Sequence, residues 1–179
     1  VYIDHTFQEK TIQIQDGKLR LLEPGSRTGG TVFDAAGKKI VPGFIDIHTH
    51  GAVGVDVNGA SAEDLATIGR FFAKNGTPSW LASILTDTEE QTGRAISQCT
   101  AYQASDGMGA QLLGIHLEGP FLASAFKGAM PEHLLKKGSS DLVASYQRLA
   151  GGNIRYITVS PEVEGVLALI PAPRKLGIV

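Results

Sequence analysis

A single cysteine among 179 residues cannot form an internal disulfide, which fits a reducing compartment and makes the cytoplasm the expected location. Charge of neither sign dominates. Lys and Arg number 16 against 18 Asp and Glu, the formal net charge is −2, and no basic cluster occurs. Nucleic acid and anionic membrane surfaces are therefore excluded as main partners. No stretch approaches the ~18 consecutive apolar residues of a membrane span. Val1–Lys10 carries charges and no apolar run, so no secretory leader is expected there. Internal repeats and low-complexity segments are also missing. What remains is 42% hydrophobic content with 22 Gly and 8 Pro, enough to build one core in a chain of ordinary domain length.

The chain changes rhythm near residue 44. Residues 1–43 read as a small β module. Thr11-Ile12-Gln13-Ile14-Gln15 alternates, Asp16-Gly17 is a hairpin turn signal, and Lys18-Leu19-Arg20-Leu21 resumes the alternation. The turn-rich Glu23–Gly30 then leads to Thr31-Val32-Phe33 and Lys39-Ile40-Val41. Such a module has open edges and needs further strands to cover it.

Residues 44–179 alternate strand, loop and helix. Strands are expected at Phe44–His50, Trp80–Leu85, Leu112–Leu117 and Ile154–Val159, with Leu176–Val179 beginning a fifth. Ser61-Ala62-Glu63-Asp64 resembles a capping box, Leu65, Ile68 and Phe72 follow at helical spacing, and Gly76 is a stop. Thr88 opens a helix to about Gln103, with Ala95, Ile96, Cys99 and Tyr102 on one face. Ser140 opens another, carrying Leu142, Val143, Tyr146 and Leu149. A short helix over Glu162–Ile170 is stopped by Pro171 and Pro173. This βα alternation implies right-handed crossovers and a parallel sheet with its chemistry at the C-terminal strand ends. A closed (β/α)₈ barrel needs about 250 residues. The segment is thus either a compact open sheet or half a barrel.

Two motifs sit at such strand ends. In His48-Thr49-His50 the period of two puts both imidazoles on one face, where they can converge on a Zn²⁺ or Fe²⁺ ion; Asp46 shares that face. Glu118 ends the strand Gly114-Ile115-His116-Leu117, and Gly119-Pro120 breaks the strand after it. A carboxylate there can bind a metal or act as a base. His116 is either a hydrogen-bonded core histidine or a group supporting the metal ligands. Lys127, in the loop after Glu118, can meet an anion or simply be solvated. His5 and His133 read as surface residues, and Cys99 as core.

Val41-Pro42-Gly43-Phe44-Ile45-Asp46-Ile47-His48-Thr49-His50-Gly51, Leu117-Glu118-Gly119-Pro120-Phe121 and Lys127-Gly128-Ala129 together resemble the N-acetylglucosamine-6-phosphate deacetylases of the metal-dependent amidohydrolase superfamily. The first run is superfamily-wide. The second and third are specific to these deacetylases and their N-acetylgalactosamine-6-phosphate relatives. The resemblance covers essentially the whole chain and corresponds to the family's N-terminal half. It implies an α/β fold, a partial (β/α)₈ barrel of about four βα units over 44–179, preceded by part of a β-sandwich over 1–43 that far C-terminal strands complete. It further implies Glu118 as ligand of the catalytic metal, His48 and His50 as the pair binding a second metal in members that retain it, and Ala129 as a substrate contact. The cofactor is then one or two divalent ions, Zn or Fe; the substrate is a phosphorylated amino sugar; the assembly is a homodimer.

Two departures follow from the same resemblance. Met130 stands where relatives usually carry histidine, and a thioether cannot replace an imidazole donor. The family's later metal-binding histidines and catalytic aspartate fall on strands beyond Val179, and none of Asp56, Asp87 or Asp106 follows a later barrel strand. The chain alone is therefore expected to be inactive, with no catalytic base of its own. Alternatives are an amidohydrolase of cyclic amides, which usually has a lysine near the position of Glu118, and a silent product that binds a metal or partner without turnover.

Overall fold

The computed structural model describes residues 1–27, 29–105 and 109–179; Asp106 lies outside them. The chain divides into two compact units, Val1–Pro42 and Gly43–Val179.

The first unit holds two separate antiparallel hairpins. β1 (Tyr2–Ile3) pairs with β2 (Thr6–Phe7), and β3 (Thr11–Gln15) with β4 (Lys18–Leu22). The Asp16-Gly17 loop joins the latter pair with Gln15 opposite Lys18 and positive φ at both loop residues, the mark of a type I′ turn. Thr31–Phe33 and Lys39–Val41 form no strand, contrary to expectation. Neither run has a partner ladder, and Val32 and Phe33 are exposed.

The second unit is built on an all-parallel sheet. In chain order it comprises β5 (Ile45–Thr49), the short hairpin β6 (Gly51–Ala52) and β7 (Val55–Asp56), α1 (Ala62–Lys74), β8 (Ser79–Leu85), α2 (Glu89–Gln103), β9 (Gln111–Glu118), α3 (Ser140–Leu149), β10 (Ile154–Thr158), α4 (Val166–Leu169) and α5 (Pro171–Lys175). The sheet order is β10-β9-β8-β5. Each strand is added on the same side of its predecessor, with no reversal of the kind that a doubly wound sheet has at its switch point. This one-way winding is that of a (β/α) barrel, and it puts the crossover helices on one face.

That face is the core. Trp80, Ala82 and Ile84 of β8, Leu112, Ile115 and Leu117 of β9 and Ile154 of β10 pack with Leu65, Ile68 and Phe72 of α1, Ala95, Ile96, Cys99 and Tyr102 of α2, and Val143 and Tyr146 of α3. The helix starts follow local chemistry. Ser61 accepts from the Asp64 N–H while the Asp64 carboxylate accepts from the Ser61 N–H, a complete capping box; Thr88 and Ser139 cap α2 and α3.

Three expectations need correction. Leu149 is exposed and Gln147 is buried instead, because the Gln147 amide bonds both backbone groups of Ile154 and also donates to the Leu176 carbonyl. The helix expected over Glu162–Ile170 is confined to α4, Val166–Leu169; Pro171 follows its end but also begins α5, where a first-turn residue needs no N–H donor, and Pro173 lies within α5. Leu176–Val179 forms no strand. Val179 alone bonds to the edge of β10, donating to Arg155 O at 3.0 Å and accepting from Ile157 N at 2.9 Å. At the other edge, Ile45 and Ile47 of β5 are exposed. Among the described residues no helix is long and apolar enough to cross a membrane.

Two predictions arise here. Burial pushes the Cys99 thiol from its ordinary value near 9 up to about 12. The unfolded chain loses this proton near pH 9 and the folded chain holds it, so the contribution is intact below pH 9 and is lost as pH rises from 9 toward 12. Denaturant titrations at pH 8 and 10 should show this loss in the native chain and a smaller one in Cys99→Ala, and a thiol reagent at pH 8 should label Cys99 only after unfolding. In the β6–β7 hairpin, Val53 and Gly54 both have positive φ, a conformation that a β-branched residue resists. Val53→Asn should raise stability by about 1 kcal/mol, read from the denaturation midpoint.

Candidate metal centre

The C-terminal ends of the parallel strands gather the residues expected from sequence. His48 and His50 leave β5, Glu118 closes β9, and β8 runs between them. Their ligand atoms all lie within 4.8 Å of one another. His50 Nε2 is 2.9 Å from Glu118 Oε2, His48 Nε2 is 3.3 Å from the same oxygen, and the two Nε2 atoms are 3.2 Å apart. Thr49 falls opposite Ala82 after a register shift in the β5–β8 pairing, and both imidazoles converge there.

The His50 ring and the backbones of His48 and Glu118 are held from behind. His50 Nδ1 lies 3.1 Å from the Ser83 carbonyl, which can only accept; Nδ1 therefore donates there, and Nε2 is the nitrogen that faces the cluster. Ser83 Oγ accepts the Thr49 N–H, the peptide group between the two histidines, at 3.0 Å. Asp46 accepts the backbone N–H of His48 at 3.0 Å, so it orients that residue's main chain. The Glu118 carbonyl accepts the Thr86 hydroxyl at 2.8 Å, and Gly119 N–H donates to Thr158 O at 3.2 Å. Gly119 has φ +86°, and a Cβ there would lie 2.2 Å from Thr86 Oγ1, so only glycine lets the chain leave Glu118 this way. Gly51 is constrained likewise: its Cβ would meet Val55 O at 1.9 Å.

His116 is fully buried behind the cluster, bonded to Ser83 Oγ at 2.8 Å and Thr158 Oγ1 at 2.9 Å. Its ring stacks on Tyr156 with centroids 4.4 Å apart and meets the His48 ring edge-on at 4.8 Å. Burial, with smaller contributions from the nearby His48 and His50, lowers its pKa to about 4, so the ring is neutral near pH 7. His116 is thus both a hydrogen-bonded buried histidine and a neighbour of the expected ligands.

The other candidates lie apart from this cluster. Ala129 is exposed in the loop after β9. Lys127 donates to the Met130 carbonyl at 2.9 Å, which occupies it within its own loop, and Met130 is buried. Asp87 accepts from Asn58 Nδ2, and Asn58 also exchanges two hydrogen bonds with the Leu85 backbone, fastening the segment after the hairpin to β8. His5 and His133 are exposed. Sequence reasoning passed over Ser83, Thr86, Thr158 and Asn58. The signal for Ser83 was its place on the face of β8 opposite Trp80, Ala82 and Ile84, a polar residue within the apolar run Trp80–Leu85.

Two imidazole nitrogens and one carboxylate oxygen suit Zn²⁺ or Fe²⁺, and three protein donors leave coordination positions for other groups. Fold and cluster together define a class: a parallel α/β protein of barrel winding with a three-donor candidate metal centre at its C-terminal strand ends.

Comparison with known proteins narrows that class. No family model matches the chain. It is 30% identical over 173 residues to the N-acetylglucosamine-6-phosphate deacetylase of Lysinibacillus sphaericus, covering 96% of this chain and 45% of that protein. The Bacillus subtilis deacetylase of the same name is 33% identical over 168 residues, covering 89% of this chain and 42% of its own length. The crystal structure of N-acetylglucosamine-6-phosphate deacetylase from Pasteurella multocida superposes with a TM-score of 0.83 at 25% identity, over 97% of this chain and 45% of that one. The chain resembles part of an N-acetylglucosamine-6-phosphate deacetylase, and it spans less than half the length of these relatives.

A carboxamide at position 118 loses the anionic donor but keeps nearly the same volume. Glu118→Gln should weaken Zn²⁺ binding at least ten-fold in isothermal titration at pH 7 while leaving the melting temperature of the metal-free chain within a few degrees.

Proposed function

We propose that this chain is the barrel-opening part of an amidohydrolase that removes the acetyl group from N-acetylglucosamine 6-phosphate, giving glucosamine 6-phosphate and acetate. The convergence of His48, His50 and Glu118 at the C-terminal strand ends carries this reading, and similarity to deacetylases of that name over 96% of the chain supports it. In this reading Glu118 holds the catalytic ion and His48 and His50 complete its surroundings or hold a second ion. Lewis acidity toward the acetyl carbonyl is the chemistry such an ion supplies when bound.

The remaining tasks fall to side chains. The Ser83 carbonyl holds the His50 ring so that Nε2 faces the cluster, and the Thr86 hydroxyl holds the backbone of Glu118. Ala129, exposed beyond β9, contacts the sugar. A carboxylate that takes a proton from water and passes it to the leaving amine is supplied from outside residues 1–179. The hairpins of residues 1–42 join further strands in a β-sandwich, and the four-stranded sheet is one arc of a (β/α)₈ barrel. The complete enzyme is a cytoplasmic homodimer.

A second reading draws on the exposure of Ile45 and Ile47 along the β5 edge: the protein binds a metal ion or a partner over that edge without turnover, so that the native polypeptide releases no acetate either. One assay separates the two. The polypeptide purified from its native source, and the 179-residue chain, are each supplied with Zn²⁺ or Fe²⁺ and N-acetylglucosamine 6-phosphate, and acetate and free amine are measured. Equimolar release by the native polypeptide and none by the chain is expected. Faster turnover of hydantoins or dihydropyrimidines than of the acetylated sugar phosphate would reverse the substrate assignment.

A further inference from the structure

We infer that Ser83 and His116 are positioning residues for the candidate metal centre, with the Ser83 hydroxyl joining the backbone between the two histidine ligands to a His116 ring fixed in its Nε2–H tautomer. The inference rests on the reading of His48, His50 and Glu118 as metal donors.

The proton positions follow from counting donors and acceptors. Among the described residues, Ser83 Oγ has two polar neighbours: the Thr49 N–H at 3.0 Å and His116 Nδ1 at 2.8 Å. A hydroxyl offers one proton and two lone pairs. The Thr49 amide can only donate, so Ser83 accepts there. Ser83 is fully buried, so if His116 Nδ1 also donated to it the serine proton would have no acceptor, an arrangement that a buried hydroxyl disfavours. The serine proton therefore goes to His116 Nδ1. The His116 proton is then on Nε2, donated to Thr158 Oγ1 at 2.9 Å. The chain of bonds runs Thr49 N–H to Ser83 to His116 to Thr158, crossing β5, β8, β9 and β10 in order.

Two parts of this chain of bonds matter for the centre. At one end it fixes the peptide that sets the separation of the His48 and His50 rings. In the middle it holds the His116 plane between Tyr156 and the edge-on His48 ring. Ser83 acts twice, since its carbonyl accepts a hydrogen bond from His50 Nδ1 and so turns Nε2 toward the cluster. That carbonyl survives any substitution, whereas the hydroxyl can be removed alone.

The test uses the 179-residue chain and Zn²⁺ as probe. Calorimetric titration at pH 7 should show Ser83→Ala binding about ten- to a hundred-fold more weakly than the native chain, with Ser83→Cys, which keeps a weak donor and acceptor, falling between them. A residue needed only for packing would lower the melting temperature without this graded loss of affinity. Long-range ¹H–¹⁵N correlation on the native metal-free chain tests the tautomer without any variant: His116 Nδ1 should resonate as an unprotonated nitrogen and Nε2 as a protonated one. A His116 proton on Nδ1, or Zn²⁺ affinity of Ser83→Ala within two-fold of native, overturns the inference and leaves the metal reading standing. No Zn²⁺ binding by the native chain overturns both.

Discussion

Parallel pairing on either side of β8 is what the rest of this molecule depends on. β8 lies between β5 and β9, and its register puts Leu85 beside Glu118, Ser83 beside His116 and Ala82 beside Thr49. Residues 48 and 118 are far apart in the chain, yet the pairing brings His48 and Glu118 within 3.3 Å. Were one of these two pairings antiparallel and the other parallel, the C-terminal ends of β5 and β9 would lie at opposite ends of the sheet and no common centre would exist. Slippage by one residue would turn His116 and Glu118 into the apolar face and expose Ile115 and Leu117 in their place.

The two faces of the sheet answer different demands. On the helix side, apolar side chains from three strands meet three amphipathic helices, and this burial supplies the main favourable term in folding. The opposite face carries Asp46, His48, Ser83, His116, Glu118 and Thr158. Polar groups at such depth are tolerated only when paired, and each buried member of this set has a partner. The same bonds that satisfy them also orient the rings, so folding and the gathering of this candidate donor set are one process here.

Glycine has a specific part at the two exits. The chain leaves the histidine pair through Gly51 and leaves Glu118 through Gly119, both at positive φ and both with a neighbour where a Cβ would stand. These positions let backbone pass close to Val55 and Thr86, which keeps the β6–β7 hairpin and the loop after β9 tight against the strand ends.

Much of this was legible in one dimension. Helix starts at Ser61, Thr88 and Ser139–Ser140 and strands at β5, β8, β9 and β10 follow from capping chemistry and hydrophobic period, which act within a few residues and leave a local trace. His48-Thr49-His50 and Glu118 stood out because they end apolar strands. Structure alone decided how these pieces meet. One-way winding, inward rotation of Gln147 in place of Leu149, the start of α5 at Pro171 and the absence of strands at Thr31–Phe33 and Lys39–Val41 all hinge on partners remote in sequence. Ser83, Thr86 and Thr158 belong to the same group: each is an ordinary hydroxyl residue until strand pairing sets it against a histidine or a backbone group. Local chemistry is written in neighbouring residues, whereas a hydrogen bond across a sheet is written only in the register that creates it.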